Sequence, residues 1–114
     1  MSRRAERLNR FNLQPGDVLA GRYLVEARLG GGWEGEVYKI IESGTGIERA
    51  AKLFFPQRNP RNGTARRYAM KLHKLRHCSI LIQYVTQEVI ELNGQRITML
   101  VSEYVEGELL SQLL

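Results

Sequence analysis

The sequence predicts an α+β domain in which a five-stranded antiparallel sheet carries one packed helix. Three observations favour this fold. Short segments with apolar residues in strand-like patterns recur five times, one segment between the third and the fourth has helical spacing, and turn residues separate them all. A chain of 114 residues, 43% of them hydrophobic and 25% charged, has room for one such domain.

The predicted strands are joined by short turns, which favours antiparallel neighbours. The first three lie at 23–29, 36–41 and 47–55, and glycine-containing turns connect them. The last two, at 80–92 and 95–103, flank Asn93-Gly94, a dipeptide typical of tight hairpins because both residues tolerate positive φ.

The helix is predicted at 64–76, with Thr64 as its N-cap. On a helical wheel its apolar residues share one arc: Ala65, Tyr68, Ala69, Leu72 and Leu75. The basic residues on the rest of the wheel are Arg66, Arg67, Lys71 and Lys74. We therefore expect one face of the helix to pack on the sheet and the other to present a basic surface.

The chain divides into an arm, a folded unit and a tail. Residues 1–14 predict a basic, flexible arm, residues 15–107 form the folded unit, and residues 108–114 begin a C-terminal helix. Two basic blocks, the arm and residues 58–77, carry the positive charge, and the slightly acidic remainder of the chain reduces the net charge to +5. No segment resembles a signal peptide or a membrane span, so we expect a cytoplasmic protein with no membrane partner.

The acidic residues and the cysteine count exclude several classes of chemistry. Asp17 is the only aspartate among 12 acidic residues, which excludes chemistry that needs two or more aspartates. Cys78 is the only cysteine, which excludes disulfide frameworks and cysteine-rich metal sites. His73 and His77 lie near Cys78 at a spacing untypical of metal ligands, and we expect no metal site.

A glycine-rich segment separates the first two strands. Gly30, Gly32, Gly35 and Val37 form the pattern G-x-G-x-x-G-x-V. Glycines in such a loop let the backbone bend tightly and approach phosphate oxygens. A strand follows the motif and Glu36 follows its last glycine, so neither a dinucleotide-binding fold nor an ATPase-type phosphate loop fits.

The order strand, glycine loop, strand and lysine-bearing strand resembles the N-terminal lobe of eukaryotic-type Ser/Thr protein kinases or pseudokinases, and we expect a bacterial source. The resemblance covers roughly residues 17–110. Ala50-Ala51-Lys52 resembles the Ala-x-Lys of the family's third strand. Residues 72–80 resemble the end of its helix, and residues 100–107 are similar to its fifth strand and hinge.

This resemblance implies a site for ATP with Mg, which we expect to be weak or absent in this chain alone. Lys52 would bind the α- and β-phosphates, and Ser102 occupies the gatekeeper position. Tyr68 stands where the family has the helix glutamate that pairs with the lysine. The other implied site residues belong to the loop, the adenine pocket and the hinge: Gly30, Gly31, Gly32, Trp33, Glu34, Gly35, Val37, Ala50, Glu103 and Val105.

Two departures from the family pattern affect this implied site. Tyr68, on the apolar arc of the helix, would face Lys52, and a phenol does not neutralise an ammonium group. Glu34, at the tip of the glycine loop, would repel a triphosphate unless it turns to solvent.

The catalytic loop and the metal-binding aspartate of the family belong to its C-terminal lobe, and the sequence ends where that lobe would begin. We therefore expect the nucleotide-gripping lobe of a kinase-like protein whose parent phosphorylates protein hydroxyls. This chain alone would not be catalytically competent. If the chain is a fragment, the C-terminal lobe is its missing partner.

Two alternatives remain open. The chain could be a stand-alone N-lobe-only pseudokinase or interaction module that self-associates, because a homodimer, with or without exchange of the terminal helix, would bury the leucines of its tail. These are Leu109, Leu110, Leu113 and Leu114. A weaker alternative is a nucleic-acid-binding domain that uses the basic face of the helix.

Overall fold

The computed structural model describes residues 10–75 and 84–104, without the side chains of Tyr68, residues 71–75 and Tyr84. Its elements in chain order are β1 (Val18–Leu19), β2 (Tyr23–Gly31), β3 (Gly35–Glu42), β4 (Glu48–Phe54), α1 (Gly63–Leu75), β5 (Tyr84–Leu92) and β6 (Gln95–Glu103). The strands form one antiparallel sheet in the order β1-β2-β3-β4-β6-β5.

The predicted combination of an antiparallel sheet with one helix is confirmed, but the described sheet has six strands rather than five. The additional strand is β1, in which Val18 pairs with Leu24 and Leu19 with Tyr23. Ala20, in the left-handed region at φ 54°, helps the chain to turn back immediately. Two residues are too few to show a period of alternation, which is why the sequence pattern did not reveal this strand.

The second hairpin has the geometry that its dipeptide predicts. Asn93 and Gly94 both have positive φ, 53° and 80°, and β6 has the predicted bounds. At the first hairpin β2 continues two residues beyond the prediction, because Gly30 pairs with Val37 and Gly31 with Glu36. These glycines therefore belong to the ladder and not to an open loop.

The helix begins one residue before the predicted start, and its capping group differs from the prediction. Asn59 supplies the cap, since its Oδ1 accepts a hydrogen bond of 3.0 Å from the Ala65 N–H. Thr64 instead donates its hydroxyl to the Arg58 carbonyl at 2.7 Å. Ala65 is buried whereas Arg66 is exposed, so the predicted apolar and basic faces are confirmed at these positions. No helix in the described ranges is long and apolar enough to cross a membrane.

The sheet separates two layers of apolar side chains. The helix face is the layer toward α1 and comprises Val37, Ala50, Phe54, Ala65 and Leu100, with Leu29, Ala69 and Tyr104 packed against it. The outer face is the layer on the opposite side and comprises Phe11, Leu19, Tyr23, Val25, Tyr38, Ile40, Ala51, Leu53, Phe55, Ile90, Ile97, Met99 and Val101.

Part of the segment predicted as a flexible arm packs on the outer face. Phe11 is buried, and its ring stacks on Phe55 with 5.0 Å between the centroids. The Phe11 N–H donates a hydrogen bond of 2.9 Å to Glu36 Oε1. The packed unit thus includes Phe11, while residues 1–9 and the leucines predicted for self-association lie outside the described residues.

Glu36 is a buried carboxylate that joins three parts of the chain. Besides Phe11, Tyr38 donates its hydroxyl to Oε1 at 2.8 Å, and Arg28 Nε donates to Oε2 at 3.2 Å. Burial, and then the hydrogen bond to this carboxylate, raise the pKa of Tyr38 to about 12. The native state therefore retains the phenol proton at a pH at which an unfolded tyrosine, with a pKa of 10.0, loses it.

β3 and β4 approach each other so closely at one position that only glycine fits there. A Cβ at Gly35 would overlap the carbonyl oxygen of Leu53. A Cβ at Gly32 would meet no described atom within 4 Å. Gly35 is therefore required by the packing of the chain itself.

We expect the stabilisation by Tyr38 to disappear at alkaline pH. Because its folded pKa is raised, this stabilisation is fully present below about pH 10 and is lost as the pH rises toward 12. Urea unfolding of the intact chain and of Tyr38→Phe should show a difference of about 1 kcal/mol at pH 8. That difference should shrink by pH 11, and a constant difference would contradict the assignment.

We expect Gly35→Ala to lower the free energy of unfolding by more than about 2 kcal/mol, because two backbone segments would have to separate. Gly32→Ala is the matched control and should change it by less than about 0.5 kcal/mol. Chemical denaturation of both variants measures the difference, and equal effects would rule out the close approach as the cause.

Candidate functional site

Lys52 lies at the centre of the helix face. It pairs with Val37 of β3 on one side and with Leu100 of β6 on the other, and directly paired residues project from the same face of a sheet. Lys52 is 5% exposed although its side chain is a cation. The register of the sheet therefore places a buried ammonium group among apolar neighbours.

Ala50 and Ser102 continue this face toward the end of β6. They pair across β4 and β6 and are both buried. The Ser102 hydroxyl donates a hydrogen bond of 3.3 Å to the Glu103 carbonyl. Glu103 ends β6, as the strand pattern predicted, whereas Val105 lies outside the described residues.

The glycine loop is the tip of the β2–β3 hairpin. The Gly32 N–H donates a hydrogen bond of 2.9 Å to the Gly35 carbonyl, which leaves Trp33 and Glu34 at the tip. Because Gly30 pairs with Val37, the stem of this hairpin adjoins the strand pair that carries Lys52.

The glycines of the loop serve different needs. None of them is among the glycines with positive φ, so a left-handed backbone is not their purpose. A Cβ at Gly31 would meet only the flexible end of Arg28 at very short range, and Cβ atoms at Gly30 and Gly32 would meet no described atom within 4 Å. Among the described residues, nothing in the chain itself requires glycine at 30 and 32.

The carboxylate at the loop tip contacts the buried lysine. Glu34 Oε1 lies 3.5 Å from Lys52 Nζ, and the two side chains are 32% and 6% exposed. The sequence led us to expect that this carboxylate would turn to solvent or repel a triphosphate, and the structure turns it toward the lysine. An ammonium group is costly to bury without a counter-charge, so this contact stabilises Lys52 in its place.

Trp33 contacts a part of the chain that the sequence did not connect with the loop. The guanidinium of Arg58 lies 3.8 Å from the centroid of the Trp33 ring, which is a cation–π contact. Arg58 belongs to the turn after β4, 25 residues further along the chain, and no local pattern relates the two. Leu100 was also missed, although strand alternation from Ser102 places it on this face.

Three of the residues discussed from the sequence have side chains outside the described part of the chain. The backbone of Tyr68 lies in α1, and its neighbours Ala65 and Ala69 pack on the helix face, but the Tyr68 side chain is outside the described residues. Its orientation toward Lys52 stays a prediction. His77 and Cys78 are likewise outside them.

The only aspartate has a role in a turn. Asp17 Oδ2 accepts a hydrogen bond of 2.9 Å from the Gln14 N–H, and its carbonyl accepts one of 2.8 Å from the Val25 N–H. Within the ranges that the structure describes, no three His, Cys, Asp or Glu side chains gather as metal ligands would.

The helix face thus combines apolar side chains with a buried cation. Beside it lies a hairpin in which the space next to Gly30 and Gly32 is open. The apolar part suits a flat, uncharged ring, and the cation suits an anionic group attached to it.

No protein-family model matches the sequence, and no curated protein matches it. Solved structures of protein kinase domains do. The kinase domain PF14_0431 is similar over 82% of this chain and 27% of its own length, with 21% identity and a TM-score of 0.62. The PknI kinase domain of Mycobacterium tuberculosis is similar over 83% of this chain and 37% of its own length, with 26% identity and a TM-score of 0.59.

This chain spans about a third of the length of the kinase domains that it matches. The similarity agrees with the antiparallel sheet and the single helix described above. The chain therefore has the fold of the N-terminal lobe of protein kinases.

Proposed function

We propose that this chain is the nucleotide-binding lobe of a kinase-like protein and that it binds an adenine nucleotide on the helix face. The adenine ring would lie against Val37, Ala50 and Leu100, and the phosphates would extend toward Lys52 beneath the glycine loop. The observation that carries this proposal is the buried ammonium group of Lys52, which lies 5% exposed at the centre of an apolar surface.

The glycines supply a second argument for the proposal. Glycine benefits the fold where the backbone has positive φ or where a Cβ would clash with a neighbouring atom. A glycine that meets neither condition among the described residues could be replaced by alanine without cost to the fold. Gly30 and Gly32 are such residues. A ligand that approaches the backbone closely would account for both, because a Cβ would then occupy the space of a phosphate.

The parent activity that we propose is ATP-dependent phosphorylation of Ser and Thr hydroxyls, since the solved structures that this fold resembles are kinase domains. In that reaction this chain would grip and orient the nucleotide, while a catalytic base and the metal ligands would come from a further lobe. The described site residues include two carboxylates, Glu34, which contacts Lys52, and Glu103 at the end of β6. They do not supply a magnesium site, so the metal would arrive bound to the phosphates.

No contact among the described residues supports either alternative, self-association or nucleic-acid binding. Self-association was predicted from leucines that lie outside the described residues. Nucleic-acid binding rests on the exposure of Arg66 and Arg67, which is also the ordinary position for charged residues on a helix. Both remain predictions from the sequence.

We expect Lys52→Met to weaken ATP binding about tenfold, because a charge-assisted hydrogen bond to phosphate would be lost while the alkyl chain is kept. Lys39→Met is the matched control. Lys39 lies on the neighbouring strand β3, and its ammonium group forms salt bridges with Glu26 and Glu48 instead of facing the proposed phosphates. Calorimetric titration of ATP with Mg measures both. Failure of the intact chain to bind ATP, or equal affinities for both variants, would refute the phosphate role.

We expect Gly30→Ala to weaken ATP binding threefold to tenfold without lowering stability, because its Cβ would obstruct only the ligand. Gly44→Ala, in the turn between β3 and β4, also adds a Cβ into open space and serves as the control. The same titration, accompanied by thermal unfolding, tests this. A loss of stability in Gly30→Ala alone would show that the glycine serves the fold.

A further inference from the structure

The loop tip brings a carboxylate to the place where the proposed function puts a phosphate. Glu34 Oε1 lies 3.5 Å from Lys52 Nζ, the cation that would bind the phosphates. The carboxylate and a phosphate oxygen are both anionic acceptors, so they would compete for the same ammonium group.

Contacts of Glu34 and its two neighbours hold the loop tip in this position. Its carbonyl accepts a hydrogen bond of 2.9 Å from the Phe55 N–H, the first residue after β4. On one side of it Gly35 fits closely against Leu53, and on the other side Trp33 stacks on Arg58. The loop is thus fastened to β4 and to the turn that follows, and these contacts hold the Glu34 backbone where its side chain reaches Lys52.

The charges at this position discriminate between ligands. Lys52 and Glu34 together carry no net charge, and Lys52 is almost fully buried, where charge interactions are poorly screened. A triphosphate would have to displace the carboxylate and would then remain close to a like charge. An uncharged nucleoside would leave the ion pair intact and still cover the apolar surface.

We propose that Glu34 limits the affinity of this site for a nucleoside triphosphate, because it occupies Lys52 and the phosphates have to compete with it for the ammonium group. This inference rests on the proposed adenine site and specifies how its affinity for phosphates is set. Removal of the Glu34 charge raises the affinity for ATP and leaves that for adenosine nearly unchanged.

The test compares adenosine and ATP on the intact chain and on Glu34→Gln, by calorimetric titration in the same Mg-containing buffer. We expect Glu34→Gln to raise the affinity for ATP about tenfold and to leave that for adenosine within twofold. Glu91→Gln is the matched control, because it removes the same charge from an exposed position on the edge strand β5. Its ratio of the two affinities should equal that of the intact chain.

The outcomes separate this inference from the function on which it rests. If both ligands bind but Glu34→Gln changes their affinity ratio by less than threefold, the role of Glu34 is wrong and the adenine site stands. If neither ligand binds to any of the proteins, the proposed function fails and this inference fails with it. Glu34→Ala, which should behave like Glu34→Gln, shows that the effect comes from the charge and not from the amide.

Discussion

Burial of β4 on both faces is the constraint on which the rest of the structure depends. Ala51 and Leu53 are fully buried on the outer face, and Ala50 and Lys52 are buried on the helix face. A central strand with a neighbour on each side leaves little solvent to receive an ammonium group, so a counter-charge has to reach Lys52. The β2–β3 hairpin delivers it through Glu34. A single buried cation therefore relates the core, the glycine loop and the candidate site.

The glycine loop owes its position to packing as much as to any ligand. Gly35 allows β3 to approach the Leu53 carbonyl, and this approach brings the loop tip over the end of β4. Gly30 and Gly32 make no comparable contact with described residues. One motif thus combines a glycine that the chain needs with glycines that the proposed nucleotide would need. A pattern of glycines in a sequence does not separate these two requirements, because both appear as the same residue type.

Much of the fold was predictable because local patterns determine it. Alternation located the strands, the Asn93-Gly94 dipeptide specified its hairpin, and the helical wheel placed Ala65 inward and Arg66 outward. The features that were missed depend on distant partners or on very short elements. The cap of α1 comes from Asn59, which reaches Ala65 only through two tight turns. Phe11 packs on Phe55, 44 residues away, and nothing in a basic, asparagine-rich segment indicates that partner.

The sequence by itself determined the order of the elements and the succession of a glycine-rich hairpin and a lysine-bearing strand. These properties follow from periods of two and 3.6 residues and from turn chemistry, which act over a few residues. Only the tertiary structure decided which partners the carboxylates of Glu34 and Glu36 contact. Glu34 and Glu36 would share a face if the strand continued through both. The hairpin turn interrupts that alternation, so Glu36 is buried with Tyr38 on the outer face and Glu34 reaches Lys52 on the helix face.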